Sequence, residues 1–316
     1  MKEIVIGSRG SKLALWQSEW VKARLEAFDP GVNVRIEIFK TTGDVRLDVP
    51  LSTIGGQGAF TKELEVALLD RRVDVAVHSL KDLPTITPEG LSITATPERE
   101  DPRDALVLRA GSETQTNSLK GLAEGAVVGT SSLRRIAQLK HLRPDIRIKD
   151  LRGNVDTRLR KLDEGEYDAL ILASAGLRRL GFGERISAAI GQDEMLSAVG
   201  QGSLGVETRS DDEETNALVA RLDDPRTRAA VLAERALLRS LGGGCQVPIA
   251  AHAKVVDDKL SLDGLVATLD GTQVLRDSLD GNAADAARVG EELAAKLLER
   301  GAGALLNDTP AEVPEG

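Results

Sequence analysis

One short grammar occurs twice in this 316-residue chain, and it limits the available folds more than any other feature. EIVI (3–6) reads as a buried strand ended by Gly7, and GSRGS (7–11) follows it. From Ser11 to Phe28, Leu13, Trp16, Trp20, Val21, Leu25 and Phe28 recur at helical spacing. The second pass repeats this: AVVGT (126–130) is a strand, GTSSLRR (129–135) the turn and SSLRRIAQLKHL (131–142) the helix. Both passes then continue alike. VNVRIEIF (32–39), TKELEVALLDRR (61–72) and VDVAV (73–77) read as strand, helix and strand, and so do IRIKD (146–150), NVDTRLRKLDEG (154–165) and DALILAS (168–174). Continuous apolar strands separated by helices belong to parallel sheets covered on both faces. The expected class is α/β: two similar lobes with a ligand cleft between them.

Two segments mark where the chain is expected to cross between lobes. EREDPRD (98–104) is charged and broken by proline, and AVGQGSLG (198–205) collects small residues and glycines. After about residue 222 the grammar changes to a helix, RTRAAVLAERALLRSL (226–241), three strand candidates and a helix over 284–299. The expected organisation is lobe 1 over 1–99 and 200–219, lobe 2 over 103–197, a small α+β domain over 222–307, and a disordered tail over 308–316. TTGDVRLDVPLSTIGGQGAF (41–60), with four glycines, a proline and no period, is expected to be a lid or binding loop.

Composition removes several function classes. The single cysteine, Cys245, cannot form an intramolecular disulfide or a thiolate cage for zinc. One reduced thiol fits a cytoplasmic protein. MKEIVIGSRG is too short in apolar residues for a signal-peptide core, and no run approaches a membrane span, so a soluble chain without a membrane partner is expected. A net charge of −9 and only seven Phe, Tyr and Trp residues argue against nucleic acid. G-x-G-x-x-G, Walker, HExxH and CxxC patterns are all missing, so neither a nucleotide nor a metal is expected.

The remaining motifs point to an anionic ligand. GTSSLRR places hydroxyls, backbone N–H groups, Arg134 and Arg135 at a positive helix start, which is anion-binding geometry. The plainer alternative is a serine cap followed by solvated arginines. GSRGS with Arg9 is the same device. DLRGNVDTRLRKL (150–162) adds Arg152 and Arg158, and AGLRRLG (175–181) adds Arg178 and Arg179. Singly these read as solvated; their shared place near strand ends, where open α/β sheets bind ligands, is the stronger clue. HSLKDLP (78–84) sets Lys81 and Asp82 beyond a buried strand, as a surface ion pair or as a site with an acid/base group. His78 is either packed or supports that site, and His141 and His252 read as solvated. In LGGGCQVPIA (241–250), Gly242 suits the left-handed residue past a helix end and Pro248 a strand start. A lone cysteine is usually an inert packed thiol, but the bare glycines before Cys245 admit a ligand close to its sulfur.

Taken in order from residue 6 to 248, IGSRGSKLALWQ, TTGD, GAFTKELE, DVAVHSLKDLP, EREDPRDA, GTSSLRR, LRGNVDTRL, YDALILA, AGLRRLG, AVGQG and GGGCQVPI resemble the porphobilinogen deaminase (hydroxymethylbilane synthase) family. The last 65 residues match only loosely. The resemblance implies two periplasmic-binding-protein-like α/β lobes plus a small C-terminal α+β domain that carries the cofactor cysteine. It implies one dipyrromethane, joined through a thioether to Cys245, onto which four porphobilinogen units are condensed head to tail with loss of ammonia before hydroxymethylbilane is released. Each pyrrole bears an acetate and a propionate, which is why a net-acidic protein would gather arginines. By motif, Asp82 is the catalytic residue; Lys81, Asp82, Ser79, Thr130, Ser132, Arg134, Arg135, Arg158 and Asp44 bind cofactor; Arg9, Ser11, Arg152, Arg179 and Gln201 bind substrate. The family pattern also implies a monomer and a transient hand-over of product to uroporphyrinogen III synthase. Gln57 stands where several relatives have lysine. Two other classes fit parts of the sequence. A non-catalytic solute-binding protein shares the two-lobed architecture but needs neither Cys245 nor Asp82. A cysteine hydrolase needs a histidine directed at Cys245, and His252 lies on the polar side of its strand.

Overall fold

The computed structural model describes residues 2–41, 60–112, 116–243 and 247–307. Asp44 and the rest of 42–59, Cys245, and the expected tail 308–316 lie outside the described residues. The opening strand β1 (Lys2–Arg9) buries Ile4 and Ile6 completely, and α1 (Lys12–Phe28) packs Val21 and Leu25 into the same core. Then come β2 (Val32–Phe39), α2 (Lys62–Leu69), β3 (Val75–Ser79) and β4 (Leu91–Ala95). β5 (Asp104–Leu108), β6 (Val127–Gly129), α3 (Leu133–Leu142), β7 (Arg147–Lys149) and α4 (Val155–Asp163) follow. β8 (Ala169–Ala173), α5 (Ser174–Arg179) and β9 (Ala188–Ala189) complete the second pass. β10 (Leu204–Arg209) and α6 (Glu213–Val219) come before α7 (Pro225–Ser240). The chain finishes with β11 (Ile249–Val256), β12 (Lys259–Ala267), β13 (Val274–Asn282), α8 (Ala286–Glu299) and α9 (Ala302–Asn307).

The repeat in the sequence is a repeat of topology. One five-stranded sheet has the order β2-β1-β3-β10-β4 and the other β7-β6-β8-β5-β9. β1 pairs in parallel with β2 and β3, as β6 does with β7 and β8. Each sheet's fourth place is taken by an antiparallel strand, β10 beside β3 and β5 beside β8. Both sheets are mixed α/β, as the expected class requires, and a third, antiparallel sheet β11-β12-β13 accompanies them.

By contacts the chain divides into two compact units, Met1–Glu100 with Gly202–Ala229 and Asp101–Gln201 with Ala230–Gly316. The three-stranded sheet falls in the second unit because it shares a core there: Ala250, Leu265 and Ala267 pack with Ala137 of α3 and with Leu196. Its other face meets α7 and α8, where Leu237, Leu293 and Leu297 close over Gly264. The strand expected over 73–77 lies at 75–79 instead. Val73 N still bonds back to Ala67 O, and Asp74 accepts from Val5 N at 2.9 Å, so both residues serve the turn after α2. The shift brings His78 and Ser79 into the strand. Among the described residues no helix is long and apolar enough to cross a membrane.

Gly290 of α8 allows a close helix contact. A Cβ there would meet Ala233 O and lie 2.9 Å from Leu237 N, both backbone atoms of α7 that cannot swing aside. Gly290→Val is therefore expected to destabilise the second unit by about 1–3 kcal/mol, the range for overpacking. A urea midpoint equal to the parent's would show that the two helices can separate freely.

Candidate functional site

In the first unit, β1 and β3 run parallel, with Ile6 opposite Val75 and Gly7 opposite Ala76, so their carboxyl ends lie side by side. Arg9 ends β1, Ser11 begins α1, and Ser79 leads into the turn Leu80–Asp82. Together Arg9, Ser11, Ser79 and Asp82 line a pocket of about 60 Å³, with Gln17, Phe60, Thr61 and His78 among its other walls. Ser11 caps α1 by accepting from Ala14 N at 3.3 Å. Gln17 Nε2 donates to Ser79 Oγ at 2.8 Å, and the Arg9 guanidinium stacks 4.1 Å over the Phe60 ring. Thr61 Oγ1 is buried on this wall without a hydrogen-bond partner. The Asp82 turn is held by backbone bonds, Leu80 N to Ser203 O at 3.0 Å and Leu83 N to Leu80 O at 3.1 Å, and Lys81 sits half-buried in it. His78 is packed, as one of its two readings had it: Nε2 lies 3.0 Å from Oε2 of the fully buried Glu207.

In the second unit, α3, α4 and α5 start just beyond the carboxyl ends of β6, β7 and β8. None of the three has a side-chain cap at Ser132, Asn154 or Ala173. The GTSSLRR turn thus differs from GSRGS, whose serine does cap. A Cβ on Gly129 would lie 2.5 Å from Leu170 Cδ2 and 2.8 Å from Tyr167 Cδ1, so these side chains would have to shift to admit a larger residue. Thr130 Oγ1 accepts from Ser132 N at 3.3 Å, and Ser131 Oγ ties the turn to Leu151 O at 2.7 Å.

The arginines separate into two kinds. Arg134 and Arg135 are 5% and 7% exposed, and both meet Asp104, which is fully buried at the start of β5. Arg135 donates from Nε and Nη2 to Asp104 Oδ1 at 3.0 and 2.7 Å and from Nη1 to Ile171 O at 2.9 Å. Arg134 Nη1 lies 2.7 Å from Asp104 Oδ2 and donates to Leu196 O at 2.7 Å. Gln201 Nε2 donates to Asp104 Oδ1 at 3.0 Å and to Pro102 O at 2.7 Å. Burial works against the ionised Asp104, but the two guanidiniums override it and hold its carboxyl well below the usual carboxylate range. Arg158 is pushed down to about 10 by burial and by Arg135, while its Nε donates to Gly153 O at 2.7 Å. Arg152 and Arg179 are half-buried, the former paired with Asp150 at 2.8 Å, and the exposed Arg178 reaches Asp101 at 3.6 Å. Asp104 and Glu207 were not read from the sequence as site residues. The available signal was an acid placed directly against an apolar strand, in DALVL and in LGVETR. Among the described residues no group of three or more His, Cys, Asp or Glu could hold a metal.

A family model described as porphobilinogen deaminase, dipyromethane cofactor binding domain, matches residues 4–217, and another, porphobilinogen deaminase, C-terminal domain, matches residues 228–299. The chain is 53% identical over 308 residues to porphobilinogen deaminase of Syntrophobacter fumaroxidans, covering 96% of this chain and 97% of that one. It is 52% identical over 313 residues to porphobilinogen deaminase of Parasynechococcus marenigrum, covering 99% and 98%. The chain belongs to the porphobilinogen deaminase family. It is thereby a transferase of tetrapyrrole biosynthesis that uses a dipyrromethane cofactor and acts on porphobilinogen, as the motifs implied. Among solved structures it is similar to a probable amino-acid ABC transporter extracellular-binding protein from Bacillus subtilis, at 12% identity and a TM-score of 0.41 over 70% of this chain and 90% of that one.

The residues present fit a carboxylate-rich cofactor of the porphobilinogen deaminase kind. Arg134 Nε is buried without a hydrogen-bond partner, and Arg134 and Arg135 are two cations against one buried acid. Burial also lowers the proton affinity of Arg134 and Arg158, a cost that a bound anion offsets. Three uncapped helix starts add N–H donors of the same preference.

Asp104 has a pH signature. Its folded-state affinity for a proton lies below the unfolded value, so its contribution is complete above about pH 4 and is lost as pH falls further. Asp104→Asn should cost about 3–5 kcal/mol, the range for breaking a buried ion pair. That gap from the parent should stay constant between about pH 8 and 5 and narrow only below about pH 4. Denaturant titrations of both proteins across pH check this; a gap that closes near neutrality would mean Asp104 is not held ionised.

Proposed function

We propose that Asp82 carries the chemistry of porphobilinogen condensation and that Cys245 holds the primer on which it occurs. The observation that supports Asp82 most is its pocket, where a carboxylate stands with Arg9, Ser11 and Ser79 beyond the ends of two parallel strands. In each addition the aminomethyl C–N bond breaks with its electron pair leaving on ammonia, and positive charge spreads over the pyrrole. The new C–C bond forms at the free α-carbon of the preceding ring, whose proton leaves with the ammonia as ammonium. A carboxylate beside the ring N–H groups stabilises charge that exists mainly in the transition state, so it speeds the step without tightening ground-state binding.

The dipyrromethane supplies the starting rings of the chain. Cys245 is the only cysteine available for a thioether and follows a helix that ends as expected, with Gly242 at φ +67° and Gly243 N bonding back to Leu238 O at 3.0 Å. Lys81, Ser79, Asp44, Thr130, Ser132, Arg134, Arg135 and Arg158 are assigned to cofactor carboxylates and ring groups, and Arg9, Ser11, Arg152 and Arg179 to those of the incoming substrate. Gln201, assigned to substrate by motif, acts in this reading through Asp104, its hydrogen-bond partner. The same proposal keeps three domains, 1–99 with 200–219, 103–197, and 222–307. It also includes a monomer working in the cytoplasm, where a lone thiol stays reduced, with hand-over of product to uroporphyrinogen III synthase.

Cys245→Ser should fold and remain at the mass of the bare polypeptide after exposure to porphobilinogen or hydroxymethylbilane, with no tetrapyrrole formed. Intact mass decides it, and a two-pyrrole excess on that variant would move the attachment elsewhere. Asp82→Asn keeps shape and loses charge, so turnover should fall by at least about 10²-fold, the scale of one positioned electrostatic or acid/base group. The variant is loaded with hydroxymethylbilane, its adduct confirmed by mass, and single additions are followed. Additions at the parental rate would reduce Asp82 to a structural acid.

A further inference from the structure

We infer that Asp104 is a positioning residue for the condensation: its buried carboxylate fixes the direction in which Arg134 and Arg135 present their remaining N–H donors. This rests on the reading above that the two arginines hold carboxylates of the pyrrole chain. A guanidinium has five N–H donors in a rigid fork, so pinning some of them on protein acceptors aims the others. Arg135 is pinned at Nε and Nη2 by Asp104 and at Nη1 by Ile171 O, at 3.0, 2.7 and 2.9 Å. Arg134 is pinned at Nη1 by Asp104 and Leu196 O, both at 2.7 Å, and keeps a buried Nε without a partner.

Asp104 is itself immobilised. It opens β5, paired with Ala173 of β8, and Gln201 donates to the same oxygen as Arg135 at 3.0 Å. A group aimed from a strand and held by a second layer of hydrogen bonds keeps its geometry better than one on a loop. Asp104 also sets the local charge. Against two guanidiniums it leaves one net positive charge, enough to favour an anion and less than two free arginines would offer.

Charge and aim predict opposite signs for one experiment. Neutralising Asp104 makes the cluster more positive, so charge alone would tighten the grip on a carboxylate-rich ligand, whereas lost aim would loosen it. The readout is the hydroxymethylbilane concentration that gives half-complete covalent loading of the apo-protein, by intact mass, with folding followed by circular dichroism. For folded Asp104→Asn that concentration should rise about tenfold, the equivalent of one misdirected charge-assisted contact. Asp104→Glu should recover part of the loss. Gln201→Leu, which removes the neutral donor shared by Asp104 and Pro102 O and keeps all three charges, should raise it about threefold and decides the matter if Asp104→Asn does not fold. A half-loading concentration at or below the parent's in the folded variants would overturn the inference and leave Asp104 a structural ion-pair partner. Arg135→Met is measured alongside. If it too loads like the parent, the arginine reading beneath the inference has failed; if it loads poorly while the Asp104 variants load normally, only the inference has.

Discussion

A carboxylate with no exposure, Asp104, is the point on which Arg134, Arg135 and Gln201 of the second unit converge. Its two oxygens gather α3 through Arg134 and Arg135, and Gln201 from just before the chain leaves the unit. Removing any one partner would leave a charge or an amide stranded in the interior, so the set stands or falls together. The first unit contains the inverse arrangement. On β10, the antiparallel strand that matches β5 in sheet order, Arg209 is buried and bonds Asp74 and Asp212 at 2.8 and 2.7 Å. Two acids around one cation leave that cluster negative, whereas two cations around one acid leave the Asp104 cluster positive. The two clusters lie at opposite ends of their sheets: Asp104 faces Ala173 at the carboxyl end of β8, whereas Arg209 follows Thr208, which faces Val75 at the start of β3.

The two units also differ at their helix starts. In the first, Ser11 closes α1 with a side-chain bond. In the second, α3, α4 and α5 begin without one, beside buried or half-buried arginines. An uncapped start gives up roughly 1 kcal/mol of helix stability, and a guanidinium held below its usual proton affinity costs more. Both costs diminish when an anion is bound. A chain of net charge −9 can thus carry a locally positive cluster at Arg134 and Arg135 without a basic surface.

How far the sequence could be read followed the kind of interaction involved. Strand and helix periodicity survived because it is local: β2 occupies residues 32–39 as expected, and Gly242 adopts the left-handed conformation assigned to it. β10 escaped notice because Glu207, Thr208 and Arg209 are polar yet buried, which breaks the apolar run. Glu207 and Arg209 each have a partner far off in sequence, His78 at 129 residues and Asp74 at 135, which no window along the chain could supply. Arg134 and Arg135 are legible as cations near a strand end, but not as partners of Asp104, which falls in a segment expected to cross between lobes. Asp44 and Cys245 lie outside the described residues, so their assignment rests on motif and on the count of cysteines.

Asp82 is positioned by other means than the arginines. It ends a one-turn segment fixed by backbone bonds to Ser203 and within Leu80–Leu83, with Leu80 itself buried beneath it. In the role proposed for Asp82, a carboxylate beside a transient cation gains from a fixed backbone, because its charge is already in place when the cation forms. Cations proposed to hold ligand carboxylates through several additions need a lasting partner as well, since their aim has to survive a changing occupant. Strand-anchored Asp104 supplies that aim for Arg134 and Arg135 by occupying some of their donors permanently. A strand-anchored carboxylate thus fixes the direction of two guanidiniums in the second unit, and a backbone-held turn fixes Asp82 in the first.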